Sequence, residues 1–554
     1  MRLGGARPSR RPSARSRAER RPSSWGPLAP LLAAAAAFAL FAPTLFFQFL
    51  NWDDDKYVLN NPWIRSWSAD NLLHIFSKPY FSNFLPLHLL SYAFDYSVWK
   101  LNPFGYHLQS VFLHALNSAL ALIVVRRMIG GFTVPFLAAL LFAVHPSHVE
   151  AVAWISIRKD LLSTTFALLT VYFYLVARRE DGGSPRPAPY AASVICFTLA
   201  LLAKMTVVTL PAFLLLLDRF PAKGAQSRGW GVDLVTKVPF ALIGLWLAKL
   251  NYEAQAGAGA TYVYDALNYA MVKGNAAWSY LGLLAGILRG SPDYDLPVLA
   301  KDPVTVLISI AGLIALPLAA WFAHRARDRA LFLGTGWIFF TLVPALAFPL
   351  VTYKADRYLY LPSIGFCWIL ATWTVRASDR VAKPQSRRLA LMAMLLIPMA
   401  LFIGRTVQNL PVWRDSESLW TYAMTRCRDH RPYTNLAQVR LRQNRLQEAE
   451  RLLLISATGE DDPNTFQNLG AVYFRMGRYA ESVRASDRAL QILRQRGWDP
   501  ALASGLYYNL AAAHAMLGET EETVAALQAA IREDPTNEEA RSKLSSIQSK
   551  PTPP

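Results

Sequence analysis

The sequence predicts an all-α protein, a polytopic membrane helix bundle followed by a C-terminal α-solenoid of tetratricopeptide-repeat (TPR) type. Hydrophobic residues make up 53% of the 554 residues and charged residues only 17%, whereas a soluble chain of this length needs a more polar surface. The end of the chain repeats a helical hairpin motif with a period of about 34 residues, which is typical of TPR arrays.

The positive charge of the chain follows the membrane topology. The formal net charge is +19, but the basic residues lie in the N-terminal segment and in short loops between apolar runs, as in cytoplasmic loops. This distribution argues against nucleic-acid binding, which needs a basic patch on one folded surface. The three cysteines stand apart from one another, so neither a disulfide framework nor a cysteine metal site is indicated.

The first part of the chain is predicted to begin inside the cell. Residues 1–27 are rich in arginine, serine and proline and cannot bury a core, which predicts a disordered basic cytoplasmic tail. The apolar run from 28 to 50 is long enough to be a retained membrane helix rather than a cleaved signal. An external loop over 51–105 follows.

Further apolar runs predict a transmembrane domain over 28–410 with about eleven spans. The basic loops then fall on one side of the membrane if the segment 268–288 is re-entrant or interfacial rather than spanning. With the N-terminus inside, this topology places the C-terminus outside the cytoplasm.

The region 411–548 is predicted to form the TPR hairpins, with a short tail over 549–554. Three hairpins open with similar tripeptides, at Asn435, Asn468 and Asn509. Their turns are predicted at Asn444, Gly477 and Gly518, with 33 residues between the first two turns and 41 between the next two. A final helix after Asp534-Pro535 fits the polar cap that a solenoid requires.

The external loop contains the first candidate site, Asp53-Asp54-Asp55 next to Trp52. Three adjacent carboxylates repel one another, so their charge calls for a cation, a proton or a substrate. The alternative is a solvated turn that continues to Asn60-Asn61-Pro62.

A second cluster, His145, His148 and Glu150, continues to Arg158 and Asp160. Polar residues between two apolar runs indicate a functional site by default, because they are costly in a membrane. The cluster could bind a metal, or its neutral imidazoles could hydrogen-bond a polar substrate. Its spacing is not His-Glu-x-x-His, however, and a proline at 146 interrupts any helix there.

Cationic residues form the third and fourth candidates. Lys204 follows an apolar run, where a lysine often extends to the membrane surface. Lys354 and Arg357 lie among tyrosines at a predicted external boundary. Such cations also suit an anionic phosphate, and arginine can pair with it through two hydrogen bonds. If the clusters share one face, they predict an external pocket for a lipid-linked anionic substrate.

Several motifs follow one another in a fixed order along the chain. They are the acidic pair of the first external loop, Pro86-Leu87-His88-Leu89-Leu90-Ser91-Tyr92, Leu101-Asn102-Pro103-Phe104-Gly105-Tyr106-His107, Leu113-His114-Ala115-Leu116-Asn117, His145-Pro146-x-His148-x-Glu150 with Arg158-x-Asp160, Asp356-Arg357-Tyr358-Leu359-Tyr360-Leu361-Pro362-Ser363 and Trp413-x-Asp415-Ser416-Glu417. In this order the motifs resemble those of the transmembrane and tetratricopeptide-repeat-containing O-mannosyltransferases and their prokaryotic relatives. The resemblance runs from about residue 30 to the end.

The resemblance implies a glycosyltransferase of the GT-C type. Such an enzyme moves a sugar, here mannose or another hexose, from a polyprenyl-phosphate donor to Ser or Thr hydroxyls of a protein acceptor outside the cytoplasm, with inversion. Many arginines and alanines with few lysines favour a GC-rich bacterial genome, and therefore an inner membrane with the repeats in the periplasm. In a eukaryote the membrane would be that of the endoplasmic reticulum. The alternative from the repeats alone is a non-catalytic TPR scaffold that recruits partners to a cell-envelope assembly.

The resemblance also assigns roles to residues. Asp53 and Asp54 would be catalytic. The substrate-binding residues would be His145, His148, Glu150, Arg158, Asp160, Lys204, Lys354 and Arg357. Beyond the lipid-linked donor, the expected partners are membrane lipid and a protein in the TPR groove. No residue is assigned to a metal, and whether a divalent cation assists stays open.

Overall fold

The computed structural model describes residues 27–179, 183–221, 229–256, 265–295, 297, 299, 301–347, 352–459 and 461–549. Within these residues the structure consists of α-helices, short 3-10 and π-helical turns and irregular segments, without a strand. The predicted all-α class is therefore confirmed. The predicted N-terminal tail up to residue 26 and the C-terminal tail from residue 550 lie outside the described residues.

Sixteen described helices precede the repeat region. They are α1 (Ala29–Phe41), α2 (Ala69–Ser77), α3 (Pro86–Trp99), α4 (Pro103–Ile129), α5 (Thr133–Ala143), α6 (Val149–Ala153), α7 (Arg158–Ala177), α8 (Pro187–Ala203), α9 (Leu210–Arg219), α10 (Trp230–Val235), α11 (Val238–Ala256), α12 (Ala266–Leu284), α13 (Pro303–Arg325), α14 (Arg329–Ala347), α15 (Pro362–Asp379) and α16 (Pro384–Asn409).

The chain is a multi-pass integral membrane protein. Among the described residues, 7 helices are long and apolar enough to cross a bilayer, or up to 8 if the pair Thr133–Ala143 and Pro146–Ala153, bent by 50°, forms one span. The others in the bundle, such as α9 and α12, are shorter or less apolar, so about eleven spans remains a prediction. The seven helices are Ala29–Phe46, Pro103–Ile129, Ile155–Ala177, Trp230–Gln255, Pro303–Arg325, Arg329–Ala347 and Pro384–Trp413.

Close helix crossings hold the bundle together. Helix α12 crosses α13 at Gly274 and Gly312, where a Cβ atom on Gly274 would lie only 1.8 Å from the carbonyl oxygen of Ser309. Only glycine permits this approach of two backbones. The segment predicted to be re-entrant or interfacial is thus a helix packed on α13, and whether it crosses the membrane stays a prediction.

Basic helix ends meet at one end of the bundle. Arg329, at the start of α14, donates to the carbonyl oxygens of Phe220 and Met128, which lie at the ends of α9 and α4. Arg178, after α7, donates to Leu217 O at 3.1 Å. The carboxylate clusters and the residues around Arg357 lie at the opposite ends of α7 and α15. The separation of charge that the loops predict is therefore present in the fold.

The repeat region consists of antiparallel helical hairpins. Its helices are α17 (Ser416–Met424), α18 (His430–Arg442), α19 (Leu446–Ala457), α20 (Pro463–Arg475), α21 (Tyr479–Arg496), α22 (Pro500–Leu517), α23 (Thr520–Glu533) and α24 (Glu538–Gln548). The three predicted turns, Asn444, Gly477 and Gly518, have φ angles of 60°, 76° and 81° and each joins the two helices of a hairpin. Glycine and asparagine tolerate this left-handed conformation.

The repeat region is bound directly to the acidic loop through Asn51. The Asn51 N–H donates to Ser416 Oγ at 2.8 Å, and its side-chain amide donates to Asn435 O at 3.0 Å. The Trp420 indole donates to Asn51 Oδ1 at 2.7 Å. Because the backbone N–H and both side-chain polar atoms of this buried residue are used, the first repeat holds one position against the loop.

Candidate functional site

The two carboxylates that the resemblance assigns to catalysis have different environments. Asp53 is half-buried, and within the described residues its carboxylate makes no hydrogen bond or ion pair to another side chain. Its backbone carbonyl accepts hydrogen bonds from Lys56 and Tyr57 N–H groups and so forms the start of a helical turn. This turn leaves the Asp53 carboxylate at the surface of two adjoining spaces.

Asp54 points into the protein instead. Its carboxylate accepts from Leu50 N–H at 2.9 Å and from Ser156 N–H at 2.9 Å, and the Ser156 hydroxyl donates to it as well. Asp54 is fully buried, and burial raises the pKa of its carboxyl from 3.8 to about 7 despite these hydrogen bonds. It lines neither space, so its contacts suit a residue that positions the acidic loop on the start of α7.

The first space, the inner cavity, has a volume of about 420 Å³ and lies between α7, α11 and the Arg357 turn. Its apolar part includes Leu85, Ile157, Met205, Val208, Ala248 and Pro344. Its polar part includes Asp53, Lys159, Lys204, Arg357, Asn251 and Tyr358. A mainly apolar pocket with a few converging charges is the usual form of a small-molecule site.

Two cations of the inner cavity are paired with buried carboxylates. Lys204 Nζ lies 2.6 and 2.7 Å from the oxygens of Asp160. The Arg357 guanidinium pairs with Glu150, which also accepts from the Arg357 N–H at 2.9 Å. Glu150 and Asp160 thus lie behind the cavity and hold its cations, and neither contributes to the lining.

Lys159 is a cavity residue that the sequence-based site assignment omits. Its ammonium lies 5.1 Å from the Tyr57 ring centroid, and within the described residues no carboxylate lies within ion-pair distance of it. Successive helix residues point about 100° apart, so Lys159 faces the cavity while its neighbour Arg158 points inward. The sequence shows Arg158, Lys159 and Asp160 in a row, but it does not show which of these side chains α7 directs into the cavity.

The second space, the outer cleft, has a volume of about 360 Å³ and separates the acidic loop from the first two repeats. The loop contributes Asn51, Trp52, Asp53, Asp55 and Lys56. The repeats contribute His430, Arg431, Thr434, Asn435, Gln438, Asp462 and Asn464. Asp53 lines both the outer cleft and the inner cavity, and is therefore the carboxylate at their junction.

A tryptophan cluster supports the junction. It is formed by Trp52, Trp154, Trp413 and Trp420. Trp52 stacks on Trp154 with ring centroids 4.1 Å apart and lies 5.0 Å from Trp420. The Arg357 guanidinium lies 5.6 Å from the Trp154 centroid, so the cluster extends from the inner cavity to the repeats. Stacked aromatic rings of this kind fix geometry as well as bury surface.

The two predicted histidines lie in the protein core and do not line the cavity. His145 Nδ1 accepts from Ser147 N–H at 3.2 Å, so Nε2 carries the hydrogen that it donates to Leu284 O at 2.9 Å. His148 Nε2 lies 2.8 Å from the Ser363 hydroxyl. Because both His145 nitrogens and the Glu150 carboxylate have protein partners, this set does not fit a metal ion.

Arg158 and Lys354 also lie away from the cavity lining. Arg158 is fully buried, pairs with Asp95 and donates to Tyr106 O at 2.7 Å. Lys354 has its ammonium 4.0 Å from the Tyr294 ring centroid, and burial lowers its pKa. The structure therefore brings together Asp53, Lys204 and Arg357 in one cavity. It places His145, His148, Arg158 and Lys354 outside the lining of that cavity, and their part in substrate binding stays a prediction.

The chain is similar in sequence to curated eukaryotic proteins. It is 25% identical over 498 residues to the protein O-mannosyl-transferase Tmtc3 of Drosophila melanogaster, covering 74% of this chain and 52% of that protein. It is 26% identical over 476 residues to human protein O-mannosyl-transferase TMTC4, covering 73% and 62%. Human TMTC2 is 31% identical over 205 residues, 35% of this chain and 24% of that protein. These relatives confirm the resemblance that the motifs predict.

The chain spans only about half to three-fifths of the length of the first two relatives. No family model matches it. Among solved structures, ArnT from Cupriavidus metallidurans bound to undecaprenyl phosphate aligns over 84% of this chain and 80% of that one, at 15% identity and a TM-score of 0.40.

Proposed function

We propose that this chain is an inverting membrane glycosyltransferase of the GT-C type, related in activity to the protein O-mannosyl-transferases it resembles. It moves mannose or another hexose from a polyprenyl-phosphate donor to a Ser or Thr hydroxyl of a protein acceptor. The observation that carries the proposal is the position of Asp53, which lines both the inner cavity and the outer cleft. A base at this position can take the proton of an acceptor in the cleft that attacks a donor in the cavity.

In the proposed reaction Asp53 is the general base. The Asp53 carboxylate takes the proton of the acceptor hydroxyl as its oxygen attacks the anomeric carbon of the sugar. The new bond joins that carbon to the hydroxyl oxygen. The bond between the carbon and the phosphate oxygen breaks, and the phosphate leaves with the electron pair. Attack from the cleft, opposite to a phosphate in the cavity, inverts the anomeric configuration.

The inner cavity suits the leaving phosphate. Lys159, Lys204 and Arg357 line it and would stabilise the charge that develops as the bond breaks. Asp53 loses its negative charge by protonation in the same step in which the phosphate gains one, so the net charge of the site stays constant. In a low-dielectric site such compensation avoids a large electrostatic cost.

The cavity also suits a lipid carrier. Helix α11 forms one wall through Ala248, Asn251 and Tyr252, and Trp246 on the same helix is 61% exposed. Exposed aromatic and aliphatic side chains on a helix long enough to span face lipid, so a prenyl chain can reach the cavity from the bilayer. We place the site on the non-cytoplasmic side, in the periplasm for a bacterial source or the endoplasmic reticulum lumen for a eukaryotic one.

A transfer assay tests the proposal. The full-length protein in nanodiscs is supplied with polyprenyl-phosphate hexoses and a threonine-containing peptide, and glycopeptide is measured by mass spectrometry. Asp53→Asn should reduce transfer by about 10²–10⁴-fold, the usual contribution of a general base. Asp70→Asn, an exposed carboxylate of the same loop whose side chain is 78% accessible, should transfer at the wild-type rate. Equal transfer by the Asp53 and Asp70 variants would remove the basis of the proposal.

A further inference from the structure

We infer that Asn83 is a specificity-determining residue, whose side-chain oxygen accepts a hydrogen bond from one hydroxyl group of the transferred sugar. The inference rests on the proposed function and concerns how the donor sugar is recognised. It comes from the neutral polar groups that line the inner cavity beside its cations, and from the turn that holds Asn83 among them.

Three amide side chains of the described residues line the inner cavity, those of Asn83, Asn251 and Gln255. The Asn251 side chain is used within the protein. Its Oδ1 accepts from Phe84 N–H at 3.1 Å, and its amide nitrogen donates to Leu247 O at 3.1 Å and to Phe84 O at 3.4 Å. Asn251 therefore ties the external loop to α11 directly next to Asn83.

The orientation of the Asn83 amide is fixed by its own neighbours. Its nitrogen donates to Phe81 O at 2.8 Å and to the Tyr57 hydroxyl at 3.4 Å. A carbonyl oxygen only accepts, so the amide nitrogen must face Phe81. The Asn83 Oδ1 has no hydrogen-bond partner in the part of the chain that the structure describes. A ligand that pairs with this oxygen must bring a donor, such as a sugar hydroxyl.

Asn83 closes a four-residue turn whose backbone is strained. Tyr80 N–H donates to Asn83 O at 2.8 Å, and Asn83 N–H donates to Tyr80 O at 3.1 Å. The two central residues, Phe81 and Ser82, have φ angles of 47° and 61°, a conformation that costs free energy in residues other than glycine. The Tyr80 hydroxyl donates to Lys56 O at 2.9 Å, and the Lys56 ammonium lies 4.4 Å from the Phe81 ring centroid. These contacts hold the turn, and with it Asn83, in one position.

Asn83 is linked through Tyr57 to the acidic loop and to the cationic part of the cavity. The Tyr57 N–H donates to Asp53 O at 2.9 Å, and the Lys159 ammonium lies 5.1 Å from the Tyr57 ring centroid. In the proposed reaction the sugar ring lies between the Asp53 carboxylate and the phosphate bound by Lys159. A hydroxyl on that ring therefore comes beside Asn83.

A fixed hydrogen-bond acceptor can distinguish hexoses that the cations cannot. The phosphate is common to all polyprenyl-phosphate donors, so Lys159 and Arg357 bind each of them alike. Hexoses differ in the direction of single hydroxyl groups, and an oxygen held in one place is paired by one epimer and left unpaired by the other. Asn83 thus selects the configuration of the sugar at one carbon.

The test measures kcat/KM for the donor with the full-length protein in nanodiscs. The donors are the polyprenyl-phosphate hexose that the wild type transfers fastest, among mannose, glucose and galactose, and its monodeoxy forms. Asn83→Ala should lower kcat/KM for the parent donor about 3- to 10-fold, the usual contribution of one neutral hydrogen bond. The deoxy donor that lacks the recognised hydroxyl should be poorer in the wild type by a similar factor, and no poorer than the parent in the variant. The penalties for the other deoxy donors should be the same in both proteins.

Two further variants separate recognition from structure. Ser82→Gly introduces a residue that adopts a positive φ angle without strain, so Ser82→Gly/Asn83→Ala keeps the turn without the Asn83 amide and should repeat the donor pattern of Asn83→Ala. Asn60→Ala is the matched control, because Asn60 is an exposed asparagine of the same loop that lines neither space. It should transfer like the wild type. Thermal midpoints of all variants check folding.

The inference fails if the penalty for every deoxy donor is the same in Asn83→Ala as in the wild type, because the amide then binds none of these hydroxyls. A wild-type kcat/KM in Asn83→Ala would also overturn it, as would a raised KM for the acceptor peptide with unchanged donor kinetics. In each of these cases transfer itself persists. If the wild-type protein moves no hexose to any hydroxyl, the proposed function fails as well.

Discussion

Substitution of Lys159 distinguishes most clearly between a lysine that binds substrate and a lysine that stabilises the fold. It lines the inner cavity without a carboxylate partner among the described residues, whereas Lys204 in the same cavity is paired with Asp160 at 2.6 Å. Replacing each lysine with glutamine removes the same charge from the same space. The two replacements should have different consequences.

The size of the Lys159 effect follows from its position. Two unit charges 4 Å apart interact by about 4 kcal/mol at an effective dielectric constant of 20. Part of that is lost to desolvation, and hydrogen bonds to charged groups contribute about 1.5–3 kcal/mol net. Lys159→Gln should therefore lower kcat/KM for the polyprenyl-phosphate donor roughly 10- to 150-fold. The thermal midpoint should stay near that of the wild type.

Lys204→Gln should weaken the fold as well, because it leaves the Asp160 carboxylate buried and unpaired, which costs about 3–5 kcal/mol. Restoring neutrality with Lys204→Gln/Asp160→Asn should recover much of the stability. The assays are donor kinetics and thermal unfolding in detergent. Wild-type donor kinetics in Lys159→Gln would refute the reasoning, since an unpaired cation in the cavity would then have no part in phosphate binding.

Three further predictions concern groups around the site. Because burial raises the pKa of Asp54 from 3.8 to about 7, the unfolded form ionises first as pH rises. The free energy of unfolding should therefore fall by about 3 kcal/mol between pH 4 and pH 7 and level off near pH 8. Asp54→Asn, followed by chemical unfolding across this range, should abolish that dependence, and a parallel dependence in both proteins would contradict it. Asn51→Ala should leave the Trp420 indole and the Asn435 carbonyl without their partner and make the repeats about tenfold or more susceptible to limited proteolysis. An unchanged digestion rate would show that the repeats do not depend on this contact. His145→Ala should lower the thermal midpoint by removing a hydrogen-bonded core side chain. Chelators or added zinc should change the midpoint of neither the wild type nor the variant. A zinc-dependent midpoint in the wild type alone would indicate a metal site.

The general architecture could be predicted from local patterns. Apolar length and the distribution of basic loops predict the membrane helices, and the turns at Asn444, Gly477 and Gly518 follow from residues that tolerate a positive φ angle. The exact number of spans could not be predicted this way. Helix α9 is shorter than a bilayer is thick, and α12 is long enough but less apolar than the spanning helices, so packing rather than hydropathy decides their place.

The candidate site could be predicted only at the level of clusters. Intramembrane charges correctly indicated a polar region around Glu150 and Arg357. Which charges pair with each other is decided by helix rotation and tertiary contact, as with Arg357 on Glu150 and Arg158 on Asp95. The same rotation places Lys159 in the cavity.

The histidine cluster shows what local patterns leave undecided. Imidazoles in an apolar region suggest metal or substrate binding, but those of His145 and His148 hydrogen-bond to Leu284 and Ser363 in the core. A buried polar side chain needs such partners whether or not it has a function. The sequence does not show which hydrogen-bond partner a given buried histidine will have.

The most direct measurement of the central claim is an experimental structure of the protein with a non-hydrolysable polyprenyl-phosphonate hexose. We expect the phosphonate within hydrogen-bond distance of Lys159 and Arg357, and the anomeric carbon between the inner cavity and the Asp53 carboxylate. A phosphonate bound at the basic end of the bundle, near Arg329, or an anomeric carbon far from Asp53 would contradict the account.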